Sequence, residues 1–197
     1  MPNYSTQAFL QHLLMAGLLC LYTITVCSQE VSYDWPALNR GDVIVESISG
    51  ANDVPGVRVT FAVKASRENI WATLVDYDNF QKIFVGINRM RVVSHDNEGA
   101  QIEFWIDAVL KNLNYILYRD YAQPGYRLTW VRVSGDLKDI HGSWEIQDTV
   151  DPEKLLLVYE SYVDVGTWVI SKFVQLGAQN RARDMAYRLR VWVEKKP

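Results

Sequence analysis

The order of hydrophobic patterns in this 197-residue chain predicts an α+β domain. Its expected form is a curved antiparallel β-sheet wrapped around one long C-terminal α-helix, with two short helices after the early strands. Three observations lead there. Segments of alternating apolar and polar residues, bounded by Gly, Pro, Asn or Asp, recur between Asp42 and Val163. That series is interrupted once, from Ser66 to Val85, by apolar residues at helical spacing. From Thr167 to Glu194 a single helical stripe takes over. An antiparallel sheet must bury its apolar face, and the final helix is the only large partner the chain provides.

The first 28 residues contain no Lys, Arg, Asp or Glu, and Leu13 to Val26 is an apolar run of 14. A membrane span needs about 20 residues, so the run fits the apolar region of a signal peptide, with cleavage near Cys27–Ser28. The expected location is therefore outside the cytoplasm, in a bacterial periplasm or secreted. The alternatives are an N-terminal membrane anchor, with Ala8 to Val26 spanning thinly, or a lipid attached to Cys27. The expected organisation is a signal peptide at 1–28, a connector at 29–41 and a ligand-binding domain at 42–196. Both cysteines, Cys20 and Cys27, lie in the leader, so the body has no thiol, disulfide or cysteine metal site. Outside the leader only His95 and His141 remain, too few for a histidine-rich metal centre. A net charge of −3 gives no general affinity for nucleic acid.

Glu30 to Gly41 reads as connector, and Asp42 to Ser49 as the first strand. Gly50 to Gly56 turns the chain into Val57–Ala65, where Val57, Val59, Phe61 and Val63 face inward and Arg58, Thr60 and Lys64 outward. Ser66 is a good N-cap for a helix whose apolar face is Ile70, Trp71, Leu74 and Val75. Asp76 to Asn79 breaks it. Phe80 to Val85 forms a second short helix, ended by Gly86. Six strands follow, at Ile87–Ser94, Ala100–Leu110, Leu113–Ala122, Tyr126–Val133, Ile140–Val150 and Leu155–Val163, with turn residues between them. The last helix carries Ile170, Val174, Ala178, Ala182, Met185, Leu189 and Trp192 on one stripe, widened by Phe173, Leu176 and Gly177.

The hairpin Trp130-Val131-Arg132-Val133-Ser134-Gly135-Asp136-Leu137-Lys138, followed by Gly142-Ser143-Trp144, resembles the START-like (SRPBCC) superfamily, in its polyketide cyclase/dehydrase and coenzyme Q-binding branch. So does Ile70-Trp71-Ala72-Thr73-Leu74-Val75-Asp76-Tyr77-Asp78-Asn79-Phe80, a helix leading into a D-Y-x-x-Y/F turn, and Met90-Arg91-Val92-Val93 after it. The likeness covers about Asp42 to Val193. It departs at Gly166-Thr167-Trp168-Val169-Ile170, where many relatives carry a proline after the glycine. The resemblance implies a helix-grip fold with a cavity for a lipid, sterol, quinone or polyketide between sheet and helix. Only some members catalyse a reaction, so fold alone does not decide function.

No nucleophile with a partner base, phosphate loop or metal motif is found. His141 beside Asp139 and His95 beside Asp96 read as turn histidines. The ligand-binding candidates are Phe84, Phe104, Ile106, Leu117, Trp130, Arg132, Trp144, Tyr159, Phe173 and Gly177. Most would be core in any sheet-on-helix domain. Gly177 costs a helix interior up to about 1 kcal/mol relative to Ala, which suggests close approach of a side chain or ligand. Among charges on apolar strands, Arg132 shares the parity of Leu128 and Trp130, whereas Arg119, Asp107 and Glu160 are weaker candidates for orienting a polar head group. No catalytic residue, metal ligand or cofactor is expected. The expected function is a non-enzymatic carrier of a hydrophobic small molecule, with transient contact to a membrane surface and no identified protein partner. The alternatives are a cyclase or hydratase acting on a hydrophobic substrate, and a protein-interaction module.

Overall fold

Eight segments with period-two alternation form eight strands in one antiparallel sheet. The computed structural model describes residues 32–84, 86–107, 112–166 and 172–195, with the side chains of 122, 172–176 and 178 outside the described set. The leader, Ala108, Leu110 and the start of the last helix (167–171) thus lie outside it too. The strands are β1 Ile44–Ser49, β2 Pro55–Val63, β3 Ile87–His95, β4 Gly99–Asp107, β5 Asn112–Gln123, β6 Arg127–Gly135, β7 Asp139–Asp148 and β8 Leu155–Asp164. The helices are α1 Trp35–Arg40, α2 Arg67–Leu74, α3 Phe80–Ile83 and α4 Lys172–Glu194. Spatial order is β1-β2-β8-β7-β6-β5-β4-β3. The curved sheet, the short helices and the long C-terminal helix make the helix-grip arrangement.

The two short helices carry the chain from β2 to the opposite edge of the sheet, where β3 begins the meander that returns to β2. Ser66 caps α2 as its sequence suggests, its Oγ accepting from the Asn69 amide at 3.2 Å. Gly86, at φ 89°, ends the α3 segment in the left-handed region. On the concave face, Val59, Phe61, Ile102, Leu128, Trp144 and Leu157 are buried, together with Ile70 and Leu74 of α2. The α4 stripe holds over its described half: Ala182, Met185, Ala186, Leu189 and Val193 are buried against this core.

Two expectations need correction. Residues 35–40 are not connector but helix α1. Asp34 Oδ1 accepts from the Ala37 amide at 3.0 Å, Pro36 suits the first turn, and Gly41 at φ 92° closes the end. The segment is too short for a periodicity signal, so only its caps announce it. It packs on β2 from the convex side, where Leu38, Ala37, Ala62, Leu156 and Val158 are buried outside the main core. That cover also buries Thr60, which parity alone sends to solvent. Arg190 of α4 fastens α1 down: Nη1 donates to Gly41 O at 2.7 Å and Nε to Ala62 O at 3.1 Å. Second, both histidines read as turn residues are in strands: His95 ends β3, its ring edge-on to Tyr77 and Tyr121, and His141 is in β7. Its Nδ1 lies 2.8 Å from Asp139 Oδ2, and its ring stacks on Tyr162 of β8.

Leu38 is 1% exposed, so Leu38→Ala should destabilise the fold by about 2–5 kcal/mol. Urea unfolding of the wild type and the variant checks this.

Candidate ligand-binding site

Leu128, Trp130 and Arg132 alternate onto the concave side of β6, and Ile140, Gly142, Trp144 and Ile146 onto that of β7. Trp130 sits directly opposite Gly142. A Cβ at Gly142 would lie 2.4 Å from Trp130 Cζ2 and 2.2 Å from Glu160 O. The missing side chain therefore lets the indole cross β7 and reach Tyr159 on β8. Those two rings stack at 5.5 Å and 26°. Tyr159 also meets Trp144 at 4.8 Å.

Other rings extend this contact into a continuous seam. Trp144 meets Phe84 at 6.5 Å, and Phe84 stacks on Phe80 at 3.9 Å. Phe80 meets Phe104 at 6.0 Å, and Phe104 meets Tyr115 at 5.6 Å. Centroid separations of 4.5–7 Å are the favourable range for aromatic pairs, with offset stacks closer. Five of the sequence-selected residues, Phe84, Phe104, Trp130, Trp144 and Tyr159, thus belong to one surface. Leu117 is buried beside it, and Ile106 is half-buried against the core. No described atom lies within 4 Å of the position a Cβ would take at Gly177. The side chain of Phe173 lies outside the described residues.

Polar groups interrupt this wall at few places. Arg132 shares its face, as the parity suggests. Its Nη2 donates to Gly135 O at 2.9 Å, while Nε is buried with no acceptor. Arg119 turns inward more completely than the sequence reading favours. It is 3% exposed, donates from Nη1 to Leu74 O at 3.0 Å, and lies 5.3 Å from the Tyr77 ring and 5.1 Å from that of Phe80. Glu160 turns away: it forms a convex-face pair with Arg58 at 2.6 Å and accepts from Tyr162. Asp107 is exposed at the end of β4 on the same convex parity.

Three tyrosines that residue patterns alone did not single out also face inward. Leu113, Tyr115, Leu117, Arg119 and Tyr121 alternate along β5 opposite Ile106, Phe104, Ile102 and Ala100, and that shared parity was the available signal. Tyr77 and Tyr121 join hydroxyl to hydroxyl between the α2–α3 connection and the sheet. Burial pushes the phenol pKa of Tyr115 up, with Tyr159 adding to it. Burial and the Tyr77 contact do the same for Tyr121. Burial also raises that of Tyr159, partly offset by a Ser161 hydrogen bond and the Arg119 charge. These phenols are therefore hydrogen-bond donors at neutral pH, not bases. Among the described residues no group of three His, Cys, Asp or Glu is placed to hold a metal ion.

A family model described as polyketide cyclase/dehydrase and lipid transport matches residues 63–190. The chain belongs to that family. It covers β3 to β8, both short helices and most of α4, which includes the whole aromatic seam. No curated protein matches the chain. Among solved structures, a STAR-related lipid transfer protein from Xanthomonas axonopodis aligns with TM-score 0.63 at 12% identity, over 78% of this chain and 94% of that one. A START superfamily protein from Mycobacterium smegmatis aligns with TM-score 0.60 at 19% identity, over 72% and 99%. A di-domain aromatase/cyclase of the steffimycin biosynthetic pathway aligns with TM-score 0.59 at 10% identity, over 72% and 51%. At these identities the likeness establishes the shared fold. Hydrophobic ligand binding fits both the family and its neighbours.

Gly142→Ala should collide with Trp130 and cost about 1–3 kcal/mol by overpacking. Chemical unfolding reads the loss, and tryptophan fluorescence reads the displaced indole.

Proposed function

We propose that the protein is a non-enzymatic carrier that shields a lipid, quinone or polyketide-like molecule against the aromatic seam. The observation that carries this reading is Arg132. Its Nε is buried without an acceptor on the same face as the apolar wall. A buried donor left unpaired costs about 1–3 kcal/mol, and a carbonyl, carboxylate or phosphate oxygen of a ligand would recover it. Apolar burial at about 25 cal/mol per Å² would supply most of the affinity. The polar head would set orientation, as is usual where few polar groups stand in an apolar site. The lipid-transfer name of the Xanthomonas neighbour supports the carrier reading.

The aromatase/cyclase neighbour keeps a second reading open, in which inward polar groups position a reactive chain. Cyclisation needs a base to remove a proton. The described inward groups, Arg119, Arg132 and raised-pKa tyrosines, donate hydrogen bonds instead. That chemistry favours holding a carbonyl over deprotonating its neighbour. The charge-free leader supports a working site outside the cytoplasm. N-terminal sequencing of protein recovered from the periplasm or medium tests that placement.

Organic extraction of purified protein followed by mass spectrometry should recover a hydrophobic compound in near-stoichiometric amount. Arg132→Met should weaken binding of that compound about 10- to 100-fold, the worth of a hydrogen bond to a charged group. Protein that emerges empty, and takes up no lipid or quinone when offered, overturns the carrier reading.

A further inference from the structure

The C-terminal half of α4 and the short helix α3 border a recess on the outside of the domain. It is an open hollow of about 550 Å³ lined by Lys82, Tyr187, Arg188, Val191, Trp192 and Lys195. Helical spacing brings these residues together: 188 lies three and four positions before 191 and 192, 195 lies four and three after them, and 187 is one turn before 191. Lys82 joins them from α3, its Nζ 6.0 Å from the Trp192 ring and donating to Asn79 Oδ1 at 2.7 Å.

Two features of the recess point to a partner. Its cations meet no carboxylate among the lining residues, in a chain whose net charge is −3. Between them stand Tyr187 and Val191, 45% and 50% exposed. An anion alone would answer the charge but leave the apolar atoms in water. A bilayer surface rich in acidic lipids answers both, because lysine and arginine meet the head groups while aromatic and aliphatic side chains enter the interface.

We propose that this recess docks the protein on a membrane by holding the head group of an acidic phospholipid. The site is separate from the aromatic seam and requires no ligand there. Each cation near such a surface strengthens binding about fivefold, so three together supply about 100-fold.

The test is co-sedimentation of the folded protein with vesicles of phosphatidylglycerol and phosphatidylcholine, and with vesicles of phosphatidylcholine alone. Binding should occur only to the acidic vesicles and weaken as salt rises. The triple variant Lys82→Gln, Arg188→Gln, Lys195→Gln should lose about 100-fold in vesicle affinity. Val191→Ser should lose affinity at low salt as well. These side chains are at the surface, so thermal unfolding alongside should show folded variants. Equal binding to both vesicles, binding unchanged in the triple variant, or capture of inorganic phosphate or an acidic peptide without vesicle binding would overturn the proposal. Mass spectrometry of bound compounds in the triple variant should match wild type, which separates failure of this site from failure of the carrier reading.

Discussion

One helix has to cover one face of an eight-stranded sheet. Neighbouring strands lie about 4.8 Å apart, so eight of them extend for roughly 34 Å. A helix with its side chains is only about 10–12 Å across. The described half of α4 lies against β1 and β2 and touches α2 and α3. Its small Ala182 and Ala186 let the backbone come close to the core there. Toward β5, β6 and β7, rings of the sheet and of α3 line the concave face among the described residues. The candidate site follows from that width mismatch, which no single amino-acid choice creates.

Rings suit this task because each presents a large rigid apolar area. Trp130 reaches Tyr159 across an intervening strand only because Gly142 is empty. Phe80, which opens α3, and Phe84, which follows its last residue, connect the β7 tryptophan to the β4 phenylalanine. A sheet face built this way is stiff over its apolar area, so a polar atom left among the rings has few routes to another partner.

The strands, α2 and the long helix were legible because each carries a period, of two or of 3.6, over enough residues to register, and α3 was marked by the Asp76–Asn79 break before it and Gly86 after it. Helix α1 was not, since six residues hold fewer than two turns and its buried face has only Ala37 and Leu38. The sheet order was not legible either: alternation tells which way a side chain points, not which strand lies beside it. Within the site, parity placed Arg132 beside Trp130 correctly and would equally have placed Arg119 beside Leu117. Charge obscured the second case, because a buried guanidinium runs against expectation until Tyr77, Phe80 and the Leu74 carbonyl are known to surround it. Glu160 shows the converse, a charge on an apolar strand that serves a cross-strand pair with Arg58.

The pairing of β2 with β8 bears on how the chain is made. Val57 meets Ser161, and Arg190 binds carbonyls at Gly41 and Ala62. A ribosome delivers the first members of these pairs long before the second. The hairpin of β1 and β2 therefore waits without a neighbour on its inner side until nearly the whole polypeptide has emerged. Long-range pairing of this kind slows folding. Residues 44–63 therefore gain their second sheet neighbour and their Arg190 clamp in the same late step.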